Sequence, residues 1–177
     1  DSQRNYFQAG FGNYSKFLAD GNISYEINKD TEVGVDVHGL STNGLKKDFP
    51  WSSKQSDFNV AAFINSTTET GKFNITADLG NHNYNYYGIY ALQPASDIDL
   101  KQSYNELKIN GYYDFFKSNW INDVRFKSSL LTDHFDAKEN SGEAQINFSK
   151  YDLPFLAEEN TKINADLGVK LSTQKST

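Results

Sequence analysis

Cysteine and methionine are both absent from the 177 residues of this sequence. Without cysteine the chain has no disulfide framework, no thiol nucleophile and no cysteine-ligated metal site. Without methionine it lacks even an initiator residue, which predicts a processed product or a fragment. The absence of cysteine is compatible with a secreted or envelope protein whose fold needs no disulfides.

Clustered positive charge and long apolar runs are also missing. The 17 basic residues are spread along the chain and are outnumbered by 23 acidic ones, which gives a formal net charge of -6. This distribution argues against a nucleic-acid-binding surface, which needs a basic patch. No signal peptide begins at Asp1, and no window approaches the roughly 18 apolar residues of a transmembrane helix. Any membrane role must therefore be carried by strands.

Aromatic residues, in contrast, are abundant, with 13 Phe and 11 Tyr. Hydrophobic residues make up 37% of the chain and aromatic residues 15%, which is too much for a disordered segment. The length suits one folded domain.

Apolar and polar residues alternate in most of the chain. From Phe73 to Leu79 and from Ile163 to Leu171 the odd positions are apolar and the even positions are polar or glycine. A period of two is typical of strands with one apolar and one polar face. No segment has the pattern of a convincing helix. We predict an all-β fold, an antiparallel up-and-down meander of about nine strands near residues 4–14, 17–28, 32–39, 57–66, 72–82 or beyond, 103–113, 119–130, 143–151 and 162–172.

The connections differ in length in a regular way. Short turns are predicted at 28–31, 66–71 and 114–118, and long loops at 40–56, 91–102 and 131–142. In a meander every second connection lies on the same rim, so the long loops share one rim. The connections at 13–16 and 152–161 depart from this rule. Sorted loops and strands of about ten residues are typical of bacterial outer-membrane barrels, where a closed barrel satisfies every backbone amide in hydrocarbon.

A soluble sandwich or a lipocalin-like barrel would alternate as well. The polar face is rich in Asn, Asp, Thr, Ser, Gln and Lys, which favours a water-filled lumen over a second packed layer. Aromatic residues also group towards the strand ends, where a membrane interface would lie. Those near the short turns are Tyr25, Phe63, Phe73, Tyr112, Tyr113, Phe115, Phe116, Trp120 and Tyr151; those near the long loops are Tyr14, Phe17, Phe58, Tyr84, Tyr86, Tyr87, Tyr90 and Tyr104.

Three segments, together with the alternating strands, carry a family resemblance: INKDTEVGVDVHG, LSTNGLKKDFPWSSKQSDF and NHNYNYYGIY. They resemble the barrel region of Bacteroidetes-type outer-membrane proteins, often described as TonB-dependent-receptor-like. The resemblance covers most of the chain. It implies a non-enzymatic protein of the bacterial outer membrane, with a role in transport and uptake or as an accessory barrel in an outer-membrane assembly. It also implies outer-membrane lipid and other envelope proteins as partners.

The chain departs from that family in several respects. It shows no plug, no TonB box and no terminal aromatic closing strand, and nine strands is odd where bacterial barrels usually have an even number. We therefore expect residues 1–177 to form a single β-barrel region, a transmembrane β-barrel or a segment of a larger one.

No catalytic, metal or cofactor site is predicted. His38, His82 and His134 lie in different segments without metal-ligand spacing, although His38 and His82 could approach one another. The run 133–139 is interpreted as a plain acidic loop rather than a calcium site. Candidate ligand or partner contacts are the aromatic residues Trp51, Tyr84, Tyr86, Tyr87 and Tyr90. The alternative function is a secreted soluble β-sandwich of the carbohydrate-binding type, in which Phe49, Trp51 and Tyr84 to Tyr90 stack on sugar rings.

The segment NHNYNYYGIY breaks the alternation of the strand before it. Tyr84, Tyr86 and Tyr90 are even-numbered, whereas the apolar set that ends at Leu79 is odd-numbered. A bulge near residues 80–81 would explain this, as would a strand that has already left the membrane. We favour the second explanation.

Overall fold

The computed structural model describes residues 5–44, 53–85, 101–117, 120–151 and 162–175. Nine strands form one sheet in chain order, and every neighbouring pair is antiparallel, so the predicted nine-stranded meander is confirmed. In this described part of the chain, no helix is long and apolar enough to cross a membrane. The strands are β1 Tyr6–Gly12, β2 Lys16–Asn28, β3 Thr31–Thr42, β4 Gln55–Thr67, β5 Gly71–Asn85, β6 Lys101–Phe115, β7 Ile121–Asp133, β8 Lys138–Tyr151 and β9 Lys162–Lys175.

One of the predicted long loops is wrong. β7 runs to Asp133 and β8 begins at Lys138, so the connection is the four residues 134–137 rather than 131–142. Asp133 Oδ1 accepts hydrogen bonds from the backbone amides of Phe135 and Ala137, each at 2.9 Å, and Asp136 adopts a left-handed φ of 62°. The acidic run therefore closes a tight turn, in which a carboxylate binds backbone amides.

The sorting of loops between the rims is correspondingly weaker than predicted. Residues 43–54 and 86–100 are the long connections on one rim, which we call the upper rim. The β8–β9 connection, 152–161, is also long but lies on the opposite, lower rim. Loop length alone therefore distinguishes the two rims only partly.

Directly paired residues of neighbouring strands point to the same side of a sheet. The register therefore places most apolar residues of the nine strands on one side and most polar residues on the other. Leu79 pairs with Val60 and with Leu107, and Leu107 pairs with Leu130. We call this side the apolar face and the other side the polar face. The apolar face carries the odd-numbered residues of β1, β2, β3, β5, β6 and β9 and the even-numbered residues of β4, β7 and β8, apart from the irregularities at 26–28 and 121–123.

Exposure is the reverse of that in a water-soluble protein. The described residues include no buried hydrophobic side chain, and Leu79 and Leu171 are 59% and 71% exposed. The charged side chains of Glu106 and Asp123, on the polar face, are only 17% and 14% exposed. No hydrophobic core lies within the described sheet, because nothing there covers the apolar face.

Polar side chains of neighbouring strands bond to one another across the polar face. The side-chain amides of Asn59, Asn74 and Asn147 donate to the Asp78, Asn65 and Asp123 side chains at 2.7, 2.6 and 2.7 Å. These pairs join β4 to β5 and β7 to β8. The described residues contain no buried side-chain nitrogen or oxygen without a hydrogen-bond partner.

Aromatic rings cover glycines on both faces. A Cβ placed at Gly111 would overlap the ring of Phe126 on the apolar face, and one at Gly34 would overlap the ring of Phe63 on the polar face. Gly142, also on the apolar face, has nothing within 4 Å of that position. A ring that lies over a cross-strand glycine compensates for its missing side chain.

The sheet is open among the described residues. Its order places β1 and β9 at opposite edges, with no pairing between them. The confirmed feature is therefore an up-and-down sheet, and closure into a barrel remains a prediction.

Candidate functional site

The upper boundary of the apolar face runs obliquely across the strands. It lies at Phe17 in β2, at Leu79 in β5 and at Leu171 in β9. The register leads from Phe17 to Asn83, four residues beyond Leu79, and from Leu79 to Thr173, two residues beyond Leu171. From β2 to β9 the sheet extends over seven strand spacings, which is about 34 Å across the strands. Over that width the boundary shifts by about 20 Å along the strands. The strands are therefore inclined by about 30° to the normal of this boundary.

Aromatic side chains mark the lower end of the apolar face. The rings of Tyr113 and Phe115 lie 4.7 Å apart there. At the upper end Phe17 and Phe58 occupy the same face. The register corrects the grouping made from the sequence, because Phe63, Tyr112, Tyr84 and Tyr104 lie on the polar face. The apolar-face residues of the lower group are Tyr25, Phe73, Tyr113 and Phe115.

β5 continues without a bulge beyond the apolar boundary. Its pairing with β6 is unbroken from Gly71 to Asn85, so the bulge explanation is wrong. Asn81 lies on the same face as Leu79, and its side-chain amide donates to Asn105 Oδ1 at 2.7 Å. Asn83 donates to Asn81 Oδ1 at 2.6 Å. Above Leu79 the strand therefore carries amides on the face that is apolar below.

Tyr104 is the centre of a small cluster at the upper end of the polar face. The His82 ring stacks on it with centroids 4.5 Å apart, and the Tyr84 ring meets it edge-on at 6.4 Å. His82 Nδ1 pairs in turn with the Asp57 carboxylate. Burial raises the pKa of the Tyr104 hydroxyl, and the charges of Asp57 and Glu106 raise it further.

The acids beside this cluster have partners. Glu106 Oε2 lies 2.7 Å from Lys108 Nζ, and Glu106 Oε1 accepts a hydrogen bond from Ser129 at 3.2 Å. Three rings and paired charges provide a surface for stacking and hydrogen bonding.

Tyr84 also lines a cleft of about 590 Å³ between the upper ends of β3–β4 and β5–β6. Polar side chains line most of this cleft, among them Lys54, Lys101, Asn83 and Asn85. Tyr84 is thus the predicted contact residue that the structure places at a concave polar site. The other predicted contacts, Trp51, Tyr86, Tyr87 and Tyr90, lie outside the described residues, as does Phe49.

The histidines do not come together. His38 lies 3.6 Å from Asp20 on the polar face, and β4 separates it from His82. The ring of His134 packs on that of Phe135 in the β7–β8 turn, with centroids 3.8 Å apart. Within the described residues, no group of three or more His, Asp or Glu side chains is arranged to hold a metal ion.

Among the described residues, fold and surface together define a class: an antiparallel β-meander with a hydrogen-bonded polar face and an uncovered apolar face. Comparison of the chain with protein-family models, curated proteins and solved structures found no match. The physical chemistry of the two faces is therefore what indicates a function.

Proposed function

We propose that this chain forms part of the wall of a transmembrane β-barrel in a bacterial outer membrane, with its apolar face against lipid and its polar face lining the lumen. The observation that carries the proposal is the reversed exposure of the two faces. Ile75, Leu79 and Val169 are 42%, 59% and 55% exposed. Exposure of these apolar side chains to water would cost about 25 cal/mol of free energy per Å², whereas contact with lipid tails would not have this cost.

The slant of the apolar boundary supports the same proposal. Strands of outer-membrane barrels are tilted by roughly 35–45°, close to the inclination of about 30° that follows from the register. Charged residues occur on the apolar face of the described strands only near strand ends, as at Lys101, Lys138 and Lys175. An apolar band with charges above it and aromatic rings at its edges suits a bilayer.

The direction of the edge strands supports a larger barrel. Since all neighbours are antiparallel, β1 and β9 run in the same direction. An antiparallel barrel that contains this sheet needs an odd number of further strands, which gives an even total. Closure of nine strands alone would need a parallel pair. In hydrocarbon the backbone groups at both edges must be paired, so one of these arrangements is required.

The role we propose is non-enzymatic: transport and uptake, or an accessory barrel in an outer-membrane assembly. The bonded polar face is suited to line a water-filled passage. The ring cluster at its upper end and the cleft beside Tyr84 at the upper rim could contact a solute or an envelope protein. Outer-membrane lipid is the first partner of such a wall.

Flotation with lipid vesicles tests the membrane proposal. The full chain, refolded from urea in the presence of phosphatidylcholine vesicles, should float with them through a density gradient and resist extraction by high salt and by carbonate at high pH. A chain that instead stays folded, monomeric and soluble without detergent would contradict the proposal.

A soluble carbohydrate-binding module is the second candidate, and the cleft beside Tyr84 is the observation that favours it. It requires a second layer over the apolar face. The two candidates differ in one readout, because a soluble module would bind sugars in detergent-free buffer and would not float with vesicles.

A further inference from the structure

Two lysines lie directly opposite one another on the outward face. The register pairs Lys138 of β8 with Lys175 of β9, and both side chains are exposed. Directly opposed residues have Cβ atoms about 4.5–5.5 Å apart, and like charges in this arrangement are destabilising. A pair of this kind is stabilised when an anion lies between the two ammonium groups.

The described part of the chain does not supply that anion. Neither lysine has an ion pair there. The adjacent Glu139 is on the polar face. Asp133 and Asp136 lie in the neighbouring turn, and one oxygen of Asp133 already accepts two backbone hydrogen bonds.

The backbone of the lysine pair lies just above the layer that lipid headgroups would occupy. Lys175 follows Leu171, the last apolar residue of the outward face of β9, by four residues, which is about 13 Å along the strand and about 11 Å along the membrane normal at the measured tilt. Long lysine side chains bend towards the interface. The headgroup layer is about 5–8 Å thick on each side of the hydrocarbon, so the two ammonium groups can reach it.

Below the pair and below Asn140, a shallow groove is left on the same face of β8 where Gly142 has no side chain. Its floor is Gly142, where a Cβ would meet nothing within 4 Å. Ser128 of β7 and Leu171 of β9 lie directly opposite Gly142 on its two sides, and Leu171 is 71% exposed. Thr132, opposite Lys138, adds a hydroxyl beside the cations. From the rim downward, the cations and the hydroxyl come first, then Asn140 and Thr173, then Gly142 beside Leu171. This is the order of a lipid phosphate, its polar glycerol region and its acyl chain.

We propose that Lys138 and Lys175 bind the phosphate headgroup of an anionic lipid, whose acyl chain lies against Gly142 and Leu171. The proposal rests on the membrane function proposed above. It predicts a fixed lipid at one position on the barrel wall, beyond the general contact of the apolar face with the bilayer.

The test compares two double variants that each remove two positive charges from the formal net charge of -6. K138S/K175S removes the outward pair, whereas the matched control K127S/K170S removes lysines that face Glu143 on the polar face. Each protein is placed in mixed micelles of phosphatidylglycerol and phosphatidylcholine, and native mass spectrometry measures which lipid stays bound.

Wild type and the K127S/K170S control should retain phosphatidylglycerol over phosphatidylcholine, and K138S/K175S should lose about tenfold or more of that preference. G142L, which fills the groove without a change in charge, should weaken retention of both lipids. Equal preference in both double variants would overturn the headgroup site. Full displacement of the lipid by inorganic phosphate would overturn a lipid ligand in favour of a simple anion. Failure of the wild type to enter micelles at all would contradict the membrane function instead.

Discussion

The two faces of this sheet share one backbone but are suited to different surroundings. On the polar face Glu106 is 17% exposed and bonded to its neighbours, whereas on the apolar face Leu79, one strand away, is 59% exposed and has little around it. In a soluble sheet the apolar side would be the covered one. The difference shows that burial of apolar surface within the described sheet is not what stabilises it, and that its surroundings must be considered.

Substitution by arginine at two adjacent positions of β5, one on each face, should give the largest difference in stability between the two faces. I75R places a charge on the apolar face and should reduce stability in vesicles by about 2–4 kcal/mol. T76R places the same charge on the polar face and should cost far less, because the arginine would lie in water. Urea titration of the vesicle-bound protein measures both.

A similar cost for I75R and T76R would mean that both faces have the same surroundings. For a sheet with water on both sides, I75R would be the milder change, since Ile75 is already 42% exposed.

Two glycines on the apolar face differ in their surroundings, because the ring of Phe126 covers Gly111 and nothing covers Gly142. G111A places a methyl group against the ring of Phe126 and should cost about 1–3 kcal/mol, because the ring has to move. G142A meets open space and should be neutral or slightly stabilising, since alanine restricts the unfolded chain. Comparing the two unfolding midpoints in detergent checks the result, and a G142A variant as unstable as G111A would contradict this account of the covered glycine.

Removal of one amide from the polar face should have the smallest effect. Asn59 donates to Asp78 Oδ1 at 2.7 Å. N59A should cost about 0.5–1.5 kcal/mol, because water in a lumen can replace the lost donor. A loss of about 3–5 kcal/mol is expected when a buried carboxylate loses its partner in a dry interior. A loss of that size in a urea titration would show that the polar face is packed rather than wet.

Much of the fold can be predicted because alternation is a local property of the sequence. The pattern from Phe73 to Leu79 identifies a strand and its two faces without reference to any partner, as does the pattern from Ile163 to Leu171. β4 is less clear, because Ala61 and Phe63 are apolar residues on its polar face. Strand ends are less predictable. At Thr42 and Asn85 the residues of both faces are polar, so the alternation fades before the strand does.

The turn at 134–137 and the ring cluster show what local patterns cannot give. Asp133 belongs to an acidic run typical of a loop, but its carboxylate closes a tight turn by accepting backbone amides. The pairing of His82 with Asp57 depends on the register between β4 and β5, which no single strand encodes. Of the predicted contact residues, the structure describes Tyr84, whose ring meets Tyr104.

The most direct test is a cysteine scan of β5, which the chain permits because it has no cysteine of its own. A spin label is attached at each position from Phe73 to Asn85 in the vesicle-bound protein, and its collision rates with oxygen and with a water-soluble nickel complex are measured. The account predicts that oxygen exposure alternates with a period of two up to Leu79, with odd positions in lipid, and that from Asn81 onward both sides are in water. Equal nickel exposure of odd and even positions between Phe73 and Leu79 would contradict the membrane-facing assignment of the apolar face.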